Sequence, residues 1–509
     1  MYNQLKRTGQ AELSGHIRHF SRSMTLKAAT TAILLAGLNL TPWSAHASPA
    51  PEANALLAKM TIDEKIGQLV QVDSGALKEK ADVRKFFLGS VLSGGGSDPA
   101  DNRPETWLKS VDEFKAQALQ TRLKIPLLYG IDAVHGHNNV LGAVIFPHHV
   151  GLGAMHDPAL VEKAEHATAE EVAGTGINWA FAPCIAVSRD IRWGRSYESF
   201  GQSTEEVAEL GAAGVKGFQG GQLGNNSVLA CAKHFAGDGG TENGKDEGDT
   251  VCDEATFRKL YLPPYAAAIK AGAGSIMVSF SSWNGQKMHG NKYLLTDVLK
   301  GELAFQGFLV SDWAAIDQLG PDYKTDIQTS INAGLDMVMI PAGPGEGHNY
   351  AEFIADLKDL VAAGKVPESR IDDAVLRILR VKFQMGLFDR TTTDPMLTAG
   401  IGSPAHRQVA RECVRESVVL LKNAGHVLPL KKNLKLIAVV GQAANDLGIQ
   451  CGGWTIDWQG KPGEVTTGGT TLLAAIKQTA GAGTQVIFSA DGKNLKNADV
   501  IIVAVGEEP

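Results

Sequence analysis

The chain is poor in the features that mark several large classes of protein. It has five cysteines in 509 residues, Cys184, Cys231, Cys252, Cys413 and Cys451, and no two of them form a C-x-x-C pair. Structural zinc sites and thioredoxin-like redox centres rely on such close pairs, so neither is supported. An exported protein can still join its cysteines, but spacing does not say which; free, mostly buried thiols are the simpler reading. Basic residues are not in excess. The 48 Lys and Arg against 55 Asp and Glu leave a formal net charge of −7, which argues against a nucleic-acid partner. The glycine-rich run Gly237-Asp238-Gly239-Gly240 lacks the strand–turn–helix setting and the distant acid of a dinucleotide site. Beyond residue 47 no apolar stretch approaches the roughly 20 residues that cross a bilayer.

What is present begins with an export signal. Arg18, Arg22 and Lys27 precede an apolar run over 28–40, followed by Pro42 and Ala45-His46-Ala47. A positive start, a short apolar core and an A-x-A exit predict a signal segment over 1–47, cut after Ala47, and a periplasmic or secreted product with no membrane attachment after cleavage. An uncleaved anchor is the alternative, and Met24 is a candidate true start. The remaining length exceeds what one hydrophobic core supports, so at least two domains are expected.

Short apolar runs at 89–92, 125–132, 179–187, 229–234, 275–279, 307–312 and 336–340 are bounded by turn residues, as strands buried on both faces are. Helical patterns lie between several of them, at 158–175, 204–219, 253–271 and 326–333. This alternation predicts a (β/α)8-like barrel over 48–388, closed by a helix at 370–388. A Thr-, Gly- and Pro-rich linker at 389–405 follows. From 406 to 509 a second α/β unit begins, with helices at 406–423 and 471–479 and strands at 435–440, 485–489 and 499–505. The chain stops just after a strand, so an incomplete second domain is expected.

Charged residues gather where the apolar runs end, which in a parallel barrel is the functional face. Ser311-Asp312-Trp313 puts a carboxylate and a large aromatic at one such exit. A fixed, ionised carboxylate can act as a nucleophile, and a flat indole can stack on a sugar ring. A helix N-cap is the alternative for Asp312 and also for Asp132, in Gly130-Ile131-Asp132. Lys233-His234 brings a cation and an imidazole to another exit. Neighbours on a strand point to opposite faces, so both reach one site only if the backbone bends. A Lys–carboxylate pair that merely holds the barrel is the alternative. The loop Arg192–Glu198 mixes arginines with aromatics and suits either sugar binding or an Arg–Glu brace. Two tryptophans, Trp454 and Trp458, sit in a Gly-led loop of the second domain, read as reaching over the barrel mouth; packing is the alternative.

Together these runs, with Met60-Thr61-Ile62-Asp63-Glu64-Lys65-Ile66-Gly67-Gln68, Leu92-Ser93-Gly94-Gly95-Gly96-Ser97, Phe181-Ala182-Pro183-Cys184 and Ser281-Ser282-Trp283-Asn284-Gly285, resemble glycoside hydrolase family 3 from about Met60 to the last residue. The resemblance is to its plant-type β-glucan exohydrolases and bacterial exo-β-glucosidases. It implies a TIM barrel followed by an (α/β)6 sandwich, and retaining, exo-acting release of glucose from β-linked glucosides and gluco-oligosaccharides, without metal or cofactor. It implies Asp312 as nucleophile. It implies Asp132, Asp157, Arg195, Lys233 and His234 as contacts to the terminal glucose, Glu247 as a further pocket residue, and Trp313 and Trp458 as the walls of the next sugar site. Phe280 and Gln318 depart from the tyrosine and arginine of the plant enzymes. The acid/base glutamate of the resembled enzymes falls beyond Pro509, so the chain is expected to lack its proton donor. A β-xylosidase, and a β-N-acetylglucosaminidase of the same family, are the enzymatic alternatives. The second is disfavoured because the loop 241–250 has no histidine. An inactive sugar-binding fragment is the third.

Overall fold

The computed structural model describes residues 50–509 apart from 95, 391 and 494. The expected signal segment, 1–47, lies outside the described residues.

Eight parallel strands form the barrel: β1 (Val70–Asp73), β2 (Ser90–Ser93), β3 (Leu128–Ile131), β4 (Trp179–Ala180), β5 (Leu229–Phe235), β6 (Ser275–Val278), β7 (Phe308–Val310) and β8 (Val338–Ile340). Strands β1 to β7 pair in chain order, and β8 pairs with β1 through Val70 opposite Val338. The bridge between Val310 and Met337 closes the ring between β7 and β8. Seven of these strands follow the apolar runs. The eighth, β1, reads Val-Gln-Val-Asp and is not an apolar run. It is buried along its whole length because Gln71 donates to Ser90 Oγ at 2.8 Å on the next strand, which offsets the cost of taking the amide out of water.

Large side chains fill the barrel interior. Trp179 lies between Phe181 and Phe308, with ring centroids 5.0 and 5.1 Å away, and its indole N–H donates to Ser275 Oγ at 2.9 Å. Gly130 is required by this filling: a Cβ there would stand 2.3 Å from Phe181 Cζ. At the N-terminal end, Lys382 is fully buried without an acid. Its ammonium donates to Gln68 Oε1 at 2.8 Å and to the Gly89 carbonyl at 3.0 Å.

The outer helices start on side-chain caps. Asp157 caps α1 (Pro158–Gly174) and Ser203 caps α2 (Thr204–Gln219). The helix expected over 253–271 is two, Glu254–Tyr261 and Pro263–Lys270, because two prolines follow Leu262 and cannot continue the first ladder. After α3 (Glu368–Gln384), helix α4 (Pro404–Ser417) opens the second unit. It is shorter than expected: Val418 adopts extended backbone, and 418–421 are exposed. Strands β9 (Leu436–Val440), β10 (Gln485–Ser489) and β11 (Val500–Val503) then form a parallel sheet with β9 central, over a small core of Ile437, Val439, Ala444 and Leu473. All five cysteines are free, and Cys184, Cys231 and Cys413 are buried.

Candidate active site

The C-terminal strand ends bring most of the singled-out residues together. Ser311, just past β7, is locked at the ring's seam. Its N–H donates to the Met337 carbonyl at 2.9 Å, and its Oγ accepts from the Met339 N–H at 2.8 Å. Asp312 therefore leaves the barrel at a fixed point. Its own N–H donates to His289 Nε2 at 3.2 Å, and its Oδ1 accepts the Trp313 N–H at 2.7 Å. It does not cap the next turn, Ala315–Gln318, which begins at Ala314 without a side-chain cap. Nor does a helix follow Asp132 directly. The capping alternative fails for both.

Asp132 Oδ1 accepts from Lys233 Nζ at 2.6 Å. Burial disfavours charge on Lys233, but Asp132 and then Glu198 outweigh it and hold the ammonium above its ordinary value. The pair has one side open, since the Asp132 side chain keeps 22% exposure against 2% for Lys233. Lys233 also lies 5.4 Å from the centre of the Trp454 ring, a cation–π contact from the second unit's loop. That loop does reach the barrel. The Ile456 N–H donates to the Asn138 carbonyl at 2.9 Å, and Thr455 Oγ1 meets His135 Nε2 at 3.3 Å.

Lys233 and His234 both join the site because β5 shifts register against β6 between Ala232 and Phe235. The protonation pattern of His234 follows from its neighbours. Arg195 Nη2, which can only donate, lies 3.1 Å from His234 Nε2, so Nε2 accepts. Nδ1 then carries the proton and donates to Asp238 Oδ2 at 2.8 Å. Burial, with Arg195 and Lys233 adding to it, keeps the ring neutral. Arg195 is held in turn by a two-pronged pair with Glu198, at 2.7 and 3.0 Å. The expected brace and the expected site contact are thus the same residue.

Asp312 Oδ2 stands 3.7 Å from His234 Nε2. Burial pushes the Asp312 carboxyl up to about 6, with Arg195, the Trp313 N–H and Lys233 pulling the other way. Burial also lifts Asp238 to about 7. Near neutral pH Asp312 is mostly ionised and strongly basic for an aspartate.

Trp313 and Trp458 are 45% and 55% exposed, which leaves their faces available. Glu247 stays at the rim. Its Oε2 accepts from Gln318 Nε2 at 2.8 Å, and Lys287 Nζ donates to Gln318 Oε1 at 2.8 Å. Asp157 is not brought to the group. Its Oδ1 accepts the N–H groups of Ala159 and Leu160 at 2.9 and 3.0 Å, so the structure shows a helix cap where the sequence suggested a glucose contact. Sequence reading missed Asp238 and His289. Asp238 lay in a Gly-rich turn four residues after His234, a spacing that carries meaning only once the turn folds back.

The fold and this mouth define a class: a (β/α)8 barrel with a carboxylate–cation cluster at its strand ends, joined to a parallel α/β unit. Residues 61–381 match the glycosyl hydrolase family 3 N terminal domain, and 418–509 match the family's C-terminal domain. The chain belongs to glycosyl hydrolase family 3. It is 33% identical over 506 residues to a lysosomal beta glucosidase of Dictyostelium discoideum, a match covering 89% of this chain and 61% of that protein. It is 34% identical to a periplasmic beta-glucosidase of Salmonella typhimurium, covering 88% and 56%. The crystal structure of an exo-1,3/1,4-beta-glucanase from a Pseudoalteromonas species superposes with a TM-score of 0.84 at 41% identity, covering 90% of this chain and 59% of that one. The chain thus spans about three fifths of the length of these relatives.

Proposed function

We propose that this protein serves a retaining, exo-acting β-glucosidase or β-glucan glucohydrolase that frees glucose from nonreducing ends. The observation that carries the reading is Asp312: a basic carboxylate fixed at the barrel mouth, facing Arg195 and Lys233, beside an exposed indole. Its Oδ2 attacks the anomeric carbon as the bond to the leaving oxygen breaks, and the bonding electrons depart with that oxygen, which an acid protonates. A glycosyl ester on Asp312 results. Water then attacks the same carbon, loses a proton to a base, and the carboxylate is restored with retention of configuration. Asp132, Lys233, Arg195 and His234 are positioned to bind the hydroxyls of the terminal ring. Asp132 accepts, Lys233 and Arg195 donate, and neutral His234 is kept from the positive charge that would repel Lys233. Trp313 and Trp458 give the second ring apolar faces, and Glu247 borders them.

The relatives' names support glucose over other sugars, and a periplasmic or secreted location with the 1–47 segment as its export signal. The substrate class is tested with 2,4-dinitrophenyl β-D-glucopyranoside beside the xylopyranoside. Dinitrophenolate leaves without protonation, so its first release needs no acid and reports attack by the nucleophile. Release from the glucoside, at least tenfold faster than from the xyloside and abolished in Asp312→Asn, is expected. Faster xyloside cleavage assigns a xylosidase. Saturable glucose binding without any release assigns a binding protein and overturns the proposal.

A further inference from the structure

At the opposite end of the barrel the structure holds a second charged hollow that the sugar chemistry does not use. It is a cavity of about 610 Å³, bordered by Lys292, Lys300, Lys365, Arg370 and Arg377, with Asp373 the one acid among its lining residues. Lys300 comes from the π-helical segment Tyr293–Glu302, with Lys292 preceding it; Arg370 and Arg377 come from α3. Beneath them is Asp336, fully buried just ahead of β8. That is the N-terminal face, away from Asp312.

The two carboxylates here are taken up by bonds inside the cluster. Asp336 Oδ2 accepts the Leu309 N–H at 2.8 Å, and its Oδ1 accepts from Lys300 at 2.7 Å and from Arg370. Asp373 Oδ1 accepts from Arg377 Nε at 3.0 Å, and its Oδ2 takes Lys300 and Arg370. Of the acids nearby in sequence, Glu368 and Asp372 bind Lys65 and Glu302 binds Arg258, while Asp297 is exposed without an ion-pair partner among the described residues. Five cations therefore face two carboxylates. Arg370 Nε is buried with no hydrogen-bond acceptor, and Lys292 and Lys365 have no acidic partner among the described residues. Burial, with Arg370 and Arg377 adding to it, brings Lys300 down to about 8 despite Asp336 and Asp373. A network built only to pin α3 to the barrel would need no such excess. Guanidinium and ammonium groups converging on one hollow are the usual means of holding a phosphate or similar oxyanion.

We propose that this hollow is a binding site for a small oxyanion, of the phosphate or phosphorylated-sugar type. Its volume falls within the range of small-molecule sites, so it admits a free anion or one carried on a hexose. The inner residues hold the barrel together, so the test leaves them intact. Calorimetric titration with inorganic phosphate, and separately with a hexose 6-phosphate, is run at constant ionic strength on the whole chain. The comparison is the Lys292→Glu/Lys365→Glu double variant, whose changed side chains are both exposed. One saturable site is expected in the parent and at least tenfold weaker binding in the variant, with unchanged melting temperature and unchanged dinitrophenol release. Equal affinity for both ligands identifies the free anion as sufficient; tenfold tighter hexose phosphate identifies the phosphorylated sugar. No saturable heat in the parent, or equal binding by the variant, overturns the proposal.

Discussion

Asp312 is held in a place that suits a proton better than a charge, and removing the charge has a measurable thermal consequence. Its side chain is 13% exposed, and burial raises its carboxyl from 3.8 to about 6. About two pH units at ~1.4 kcal/mol each put the strain of ionising it at ~3 kcal/mol. The sign follows from proton counting. Between pH 4 and 6 the folded chain keeps the Asp312 proton while the unfolded chain has lost it. Stability therefore falls as pH rises through that window, then stays level. Asparagine has no such loss. Asp312→Asn is expected to match the parent near pH 3.8 and to exceed it at pH 7.5 by up to ~3 kcal/mol. With an unfolding entropy on the order of 1 kcal/mol/K for a body of this size, that is about 3 °C in melting temperature. Asp238 and other raised carboxyls contribute to both proteins and cancel in the difference. Scanning calorimetry of both at the two pH values decides it. Equal melting temperatures at pH 7.5, or a difference independent of pH, would refute the assignment of a burial-raised Asp312.

The same shift governs rate: dinitrophenol release should fall tenfold per pH unit below about 6, and a limb that begins only near 4 would contradict it. Lys382, buried without an acid, is brought down to about 7. The unfolded lysine stays protonated between pH 7 and 10, so the parent should gain stability over that range, and Lys382→Met should lose this rise in melting temperature. Asp238→Ala removes the acceptor that fixes the His234 proton on Nδ1. It should reduce kcat/KM about tenfold or more and shift the His234 ring signals in NMR, while the melting temperature stays within a few degrees. Trp458→Ala should raise KM for a disaccharide about five- to tenfold while leaving an aryl monoglucoside nearly unaffected, the worth of one aromatic face. Gly130→Ala should destabilise by roughly 1–3 kcal/mol, read as the denaturation midpoint, because Phe181 has no room to move.

Much of the barrel was legible because strands buried on both faces write themselves as apolar runs. β1 escaped for the same reason: Gln71 and Asp73 are buried on hydrogen bonds, which composition does not reveal. The strand-end rule located Asp132, Lys233 and Asp312, yet strand alternation alone would have sent Lys233 and His234 to opposite faces. Only the register shift in β5 reconciles them, and nothing in Ala232-Lys233-His234-Phe235 announces it. Arg195 was legible as a brace, and it pairs with Glu198 while reaching His234. Asp238 and His289 were not legible, since Asp238 meets His234 only once the turn after β5 folds back, and His289 reaches Asp312 from 23 residues away. Asp157 shows the reverse error. The family resemblance implied a ligand contact, while the Pro at the next position and two backbone N–H groups make it a helix start.

The covalent step offers the most direct test. Incubating the protein with 2,4-dinitrophenyl 2-deoxy-2-fluoro-β-D-glucopyranoside, whose glycosyl ester hydrolyses slowly, followed by peptide mass spectrometry, should find one fluoroglucosyl group on the peptide carrying Asp312, and none in Asp312→Asn. The sugar attached to any other carboxylate in the parent would contradict the account.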